Sequence, residues 1–169
     1  TPYVIEEVGG VKVGIYGLST PDTVIVTNPN NVVGLTFKDP IEVSKDMVDE
    51  LKDKADVIIA LAHIGLDESA SVTSKALAEA VEGIDLIIDG HSHSLLATGQ
   101  LENNTLIVQT KNYGENLGYV DIEVQNGEVV NKTARLLAAA DTAETVPDHD
   151  LSAFIETISP ENDPAFNEV

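Results

Sequence analysis

The sequence predicts an α/β fold, a mixed sheet with a βαβ core to which antiparallel hairpins are added. Two apolar runs, Asp56–Ala62 and Ile84–Asp89, are too short for typical helices and rich in β-branched residues, and a helical pattern lies between them. Short segments with paired turn residues stand at both flanks of this unit. With 43% hydrophobic residues over 169 positions, the chain can bury one real core and is too apolar for a disordered tail.

In chain order, Tyr3 to Val8 and Val11 to Leu18 read as a hairpin turned by Gly9-Gly10, since glycine reaches the positive φ that such turns demand. A polar loop rich in Pro and Asn follows. Asp39 then offers a cap, Pro40 suits a first helical position and Glu42 completes a capping-box spacing, with Val43, Met47 and Leu51 recurring along one face. After the strand at Asp56–Ala62, a helix is expected from about Ser69 to Glu82, stopped by Gly83. Strand, helix and strand within some thirty residues imply parallel neighbours joined by a right-handed crossover. Beyond Leu96, Ala97–Glu102 and Thr105–Gln109 flank Asn103-Asn104, and Leu117–Gln125 and Glu128–Leu137 flank Asn126-Gly127, so both pairs read as antiparallel additions. From Leu136 onward there is no Lys or Arg but eight acids, with an apolar pattern at Leu151, Phe154, Ile155 and Ile158 that predicts an acidic helix and linker.

Charge narrows the function. A formal net charge of −20 repels a phosphate backbone, and no basic stripe exists, so a nucleic-acid scaffold is not expected. An anionic substrate would need a bound divalent cation to attract it. With no cysteine, disulfides, thiolate metal sites and thiol catalysis are excluded, and any metal ligand must be His, Asp, Glu, Asn or Gln. No apolar run reaches the roughly 18 residues of a membrane span, and no signal-peptide pattern opens the chain.

Three of the four histidines fall at strand carboxyl ends of the one βαβ unit: His63 in Ala62-His63-Ile64-Gly65, and His91 and His93 in Gly90-His91-Ser92-His93. Ligands of open α/β sheets gather outside such ends. Strand axes about 4.8 Å apart let imidazoles from neighbouring strands meet on one ion. His93 can complete that site or serve a second metal beside it, and Gly90 leaves room for the tight turn. A single histidine at a strand end is more often structural; the coincidence of three makes the metal reading the stronger one. Asp89 is a candidate acceptor for an imidazole N–H, the support that metal-bound histidines need. Asp67 and Glu68 follow His63 but suit a helix start, where negative charge is favoured. Ser92 lacks a nucleophile elbow, and His149 sits in the acidic tail without such a context.

Four segments resemble the 5′-nucleotidase family of metallophosphoesterases, within the calcineurin-like superfamily: Gly14-Ile-Tyr-Gly-Leu-Ser-Thr-Pro-Asp-Thr23, Ala55-Asp-Val-Ile-Ile-Ala-Leu-Ala-His-Ile-Gly-Leu-Asp67, Ile87-Ile-Asp-Gly-His-Ser-His93 and Tyr113-Gly-Glu-Asn-Leu-Gly118. They stand in the family's order up to about Val146. The resemblance implies half of a four-layer αββα metallophosphatase domain with two adjacent divalent ions, drawn from Zn, Mn, Mg or Ca. His63 and His91 would bind one ion and His93 the other. It also implies phosphoester hydrolysis, with a nucleotide or related phosphoester as substrate, and a protein that is secreted, periplasmic or on the cell surface. Apart from Asp89-Gly90-His91, which belongs to the third segment, the Asp-x-His, Gly-Asp and Gly-Asn-His-Asp/Glu motifs of the family's N-terminal half do not occur here. Residues 1–146 therefore read as the C-terminal half of a catalytic domain and 147–169 as an acidic linker or helix. No catalytic residue is expected on this chain, and alone it should be inactive. Its open sheet face should seek the missing N-terminal half or a second copy. Competing readings are a self-sufficient protein holding one ion through the three histidines, a relative that opens 2′,3′-cyclic nucleotides, and an interaction module whose histidines are structural.

Overall fold

The structure, a computed structural model, describes residues 2–142 and 144–158, so the last part of the expected acidic linker lies outside the described residues. Two compact units are present, Thr1–Ala139 and Ala140–Val169.

The first unit opens on β1 (Tyr3–Val8) and β2 (Val11–Ser19), antiparallel in a register running from Tyr3 opposite Tyr16 to Val8 opposite Val11. A one-turn helix α1 (Thr23–Val26) and a 3-10 turn at Pro29–Val32 occupy the stretch read as loop. α2 (Pro40–Leu51) begins where its signals place it, and the Asp39 carboxylate accepts Ile41 N–H at 2.8 Å. β3 (Val57–His63), α3 (Ser74–Ala80) and β4 (Leu86–Ile88) form the expected βαβ unit, with β3 and β4 parallel neighbours. β2 also runs parallel to β3, which makes β2, α2 and β3 a second such unit.

Two expectations are corrected. α3 starts at Ser74 rather than Ser69, because Thr73 caps it by accepting Ala76 N–H at 3.1 Å while the Ser71 N–H turns outward to Asp22. Asp67 and Glu68 therefore lie in a turn, with Ala70 N–H on the Asp67 carbonyl, and not at a helix start. The second correction concerns β5 (Gln100–Glu102) and β6 (Thr105–Val108), which pair with each other as a hairpin. β6 nevertheless joins the core parallel to β4, with Leu86 opposite Leu106. The apolar run of β6, buried along its whole length, suits that interior place better than an added edge. The sheet order is β1-β2-β3-β4-β6-β5.

The helix face of this sheet carries the main core: Tyr16, Leu51, Ile58, Leu77, Ile87 and Ile107 are buried together. On the opposite face, the hairpin of β7 (Asn116–Gln125) and β8 (Glu128–Ala138) brings Val120, Ile122 and Ala134 onto Leu86, Leu106 and Val108. Lys132 on β8 reaches under this layer to within 3.8 Å of Asp85, whose other oxygen accepts Ile58 N–H. Burial pushes the Asp85 carboxyl up and the Lys132 ammonium down, each partly offset by the other's charge. The rest of that face stays open, with Val4, Val8, Leu61 and Ile88 exposed beside an apolar groove of about 240 Å³. In the second unit, α4 (His149–Ile158) is the helix expected from the tail pattern. Among the described residues, no helix is long and apolar enough to cross a membrane.

Candidate metal centre

Four parallel strands, β2, β3, β4 and β6, end at one edge of the sheet, where Thr20, His63, Asp89 and Gln109 emerge. His63 is the last residue of β3, and its carbonyl accepts the N–H of buried Thr20 at 2.9 Å. β4 ends one strand over, so Asp89-Gly90-His91 turns back across the end of β3. His91 Nδ1 lies 3.2 Å from His63 Nε2, and the rings meet edge-on with centroids 5.0 Å apart.

That separation has a chemical meaning. Two imidazole nitrogens each about 2.0–2.1 Å from one tetrahedral ion stand about 3.3–3.4 Å apart. The pair thus fits either an N–H···N hydrogen bond or two neighbouring corners of one metal's ligand shell. His93 stands apart from the pair, its Nδ1 3.2 Å from the Asn112 amide nitrogen. Among the described residues, no three His, Asp or Glu side chains close around a common point.

Close backbone approach makes the meeting work. A Cβ on Gly90 would sit 3.2 Å from His63 Nδ1 and push on that ring. Gly65, at φ +88°, faces Ser92 so closely that a Cβ would come within 3.1 Å of both its Cβ and its backbone nitrogen. The left-handed backbone that the turn requires does not fall on Gly90. It falls on the ligand candidates themselves, His91 at φ +73° and His93 at φ +53°. For non-glycine residues this costs of order 1–3 kcal/mol each, so the surroundings must hold them there.

The acid beside them does so indirectly. The Asp89 carboxylate, expected beside an imidazole, is occupied by the backbone after His63 and by two side chains. One of its oxygens accepts Ile64 N–H at 2.9 Å, the other accepts Gly65 N–H at 3.0 Å, and the carboxylate also takes the Ser74 hydroxyl and, at 3.3 Å, the Gln109 amide. It is bound to the backbone just after His63 because that backbone turns away from the sheet with free N–H groups pointing at the end of β4. Ser92 is equally committed: its hydroxyl accepts Leu66 N–H at 3.0 Å and lies 2.9 Å from the Ser94 hydroxyl.

Two participants do not stand out in the sequence. Asp22, in the loop after β2, accepts Ser71 N–H at 3.0 Å, and hydrogen bonding from Ser71 holds its carboxyl below the usual range with a smaller contribution from the charge of nearby His91. Its signal is an acid inside the first resembling segment. Gln109 is 2% exposed, and its signal is a long polar side chain closing the apolar run of β6. His149 is exposed at the start of α4, beside Asp150 at 3.3 Å.

Known proteins resemble this chain in sequence and fold. The trifunctional nucleotide phosphoesterase protein YfkN of Bacillus subtilis is 37% identical over 134 residues, covering 76% of this chain and 9% of that protein. A 5′-nucleotidase of Vibrio cholerae is 31% identical over 154 residues, covering 76% of this chain and 28% of its own length. The chain thus spans less than a third of the length of these relatives. Among solved structures, the sulfate thiohydrolase SoxB of Thermus thermophilus superposes with a TM-score of 0.79 at 29% identity, covering 92% of this chain and 28% of that one. The calcineurin-like phosphoesterase YfkN gives a TM-score of 0.79 at 25% identity, covering 99% and 59%. No family model matches the chain. With the fold, the order of its motifs and these relatives in agreement, the chain belongs to the 5′-nucleotidase family of calcineurin-like metallophosphoesterases.

Proposed function

We propose that this chain supplies His63, His91 and His93 to a two-metal phosphoesterase centre that hydrolyses nucleotide phosphomonoesters. The observation that carries the reading is the 3.2 Å approach of His63 Nε2 and His91 Nδ1 at adjacent strand ends, a spacing that fits one shared ion. Bound divalent ions at such a centre would clamp the phosphate and lower the pKa of a bound water. The chain's own residues hold the two imidazoles at ligand spacing, with Gly90 leaving room for the His63 ring and Asp89 fixing the turn after it. His93 serves the second ion.

Three neutral imidazoles do not offset the charge of two divalent ions, so the centre needs carboxylate ligands from outside this set. On this reading the chain alone, given AMP or an aryl phosphate with Mn²⁺ or Zn²⁺, shows no turnover above metal-only controls. Joined to the motif-bearing segment of a relative, it becomes active. Robust hydrolysis by the 169-residue chain alone would overturn the claim that further ligands are needed.

The open sheet face is the second half of the proposal. Val4, Val8, Leu61 and Ile88 lie exposed on it, and contiguous apolar surface of this kind seeks cover. We assign that cover to the N-terminal half of the catalytic domain or, in its absence, to a second copy. Light scattering at high concentration should then show self-association, and a monodisperse monomer counts against it. The family resemblance supports a location outside the cytoplasm, at the cell surface or in the periplasm.

A further inference from the structure

We propose that Gln109 is the positioning residue that sets the spacing of the histidines, a role that rests on the metal reading above but is tested separately from it. Gln109 follows β6 directly and is almost completely buried. Its side-chain amide makes three separate attachments. The Nε2 group donates to the Asp89 carboxylate at 3.3 Å. The Oε1 atom accepts from the Ser92 hydroxyl at 3.1 Å and from the Ser94 N–H.

These contacts bracket the histidine turn. Ser92 lies between His91 and His93, Ser94 follows them, and Asp89 precedes them by two residues. Asp89 in turn binds Ile64 N–H and Gly65 N–H, immediately after His63. One amide thus ties the backbone of the His91–His93 turn to the backbone that ends β3. Both histidines hold left-handed φ angles that they would leave if unrestrained. Gln109 opposes that relaxation from inside the protein, without touching either imidazole.

Only an amide meets this demand. Glutamate keeps the acceptor toward Ser92 and Ser94 but sets a second carboxylate against Asp89 and removes the donor. Leucine fills the space and leaves the Ser94 N–H and one Asp89 oxygen without this partner. A change at Gln109 should therefore separate His63 from His91 even in a chain that still folds.

The test compares Gln109→Glu and Gln109→Leu with Thr105→Val. Thr105 is also on β6 and fully buried, and its hydroxyl donates to the Ile84 carbonyl at 2.8 Å, far from the histidines. The first readout is the nuclear Overhauser contact between the His63 and His91 imidazoles in the metal-free chain, alongside thermal stability. The contact is expected in the wild type and in Thr105→Val, and lost in both Gln109 variants. The second readout is Zn²⁺ affinity by calorimetry, expected to fall about 10–100-fold for the Gln109 variants and to stay within error for Thr105→Val.

An imidazole contact that persists in a folded Gln109 variant overturns the positioning role, whatever the metal data show. The role is equally overturned if Thr105→Val loses contact and affinity in step with the Gln109 variants, because the effect is then stability alone. A wild-type chain that keeps the contact but binds no Zn²⁺ removes the metal reading and leaves the positioning role to the Overhauser result.

Discussion

Replacing His91 with alanine is expected to lower the chain's affinity for Zn²⁺ by on the order of 100-fold while leaving it folded. Four-ligand zinc sites are worth about 10–16 kcal/mol, or roughly 3 kcal/mol per ligand, and each 1.4 kcal/mol is about tenfold in affinity. The fold should survive because the imidazole stands at the sheet edge, only partly buried, and its partner there is the His63 ring. Alanine also inherits the same left-handed backbone without adding bulk. His63→Ala should match the loss, and the double variant should lose little more, since either deletion already breaks the pair. His93→Ala, whose ring faces Asn112 instead, should change this first ion's binding least. Calorimetric titration of the wild type and the four variants decides it. Equal affinity for wild type and His91→Ala would place the metal elsewhere.

Asp89→Ala should cost the most stability, about 3–5 kcal/mol by urea denaturation. The carboxylate accepts from two backbone N–H groups, a hydroxyl and an amide, and two of these donors, Ser74 and Gln109, are buried away from water. Each buried donor left unpaired costs about 1–3 kcal/mol. Since Ser74 opens α3 and Gly65 closes the turn after β3, the loss reaches both elements of the βαβ unit. Asp89→Asn should lie between, because it keeps an acceptor but turns an NH₂ group toward donors. Domains of this kind have only about 5–15 kcal/mol in total, so the alanine variant stands close to unfolding. A loss below about 1 kcal/mol by the same measurement would contradict the central place given to Asp89.

Much of this is legible in residues alone. The runs at Val57–His63 and Leu86–Ile88 can be read because strands covered on both faces are continuously apolar. His63 and His91 can be paired because chemistry gathers at strand carboxyl ends. The direction of β6 cannot be read: Asn103-Asn104 correctly marks the hairpin with β5, yet nothing local says that β6 also docks parallel to β4. The late start of α3 depends on Asp22, which takes the Ser71 N–H across 49 residues. Asp89 points to the right neighbourhood but not to its backbone partners, since a carboxylate two residues from His91 suggests an imidazole bond while the emerging backbone after His63 offers two N–H groups. Gln109 is invisible for a related reason. Its role exists only once β6 lies beside β4.

The division of the histidines is the point on which the functional reading turns. Zinc K-edge absorption of the Zn²⁺-loaded chain examines it directly. The expected spectrum has nitrogen at about 2.0–2.1 Å with the outer-shell scattering of two imidazoles, reduced to one in His91→Ala. A shell of oxygen alone, or one unchanged by His91→Ala, would contradict it.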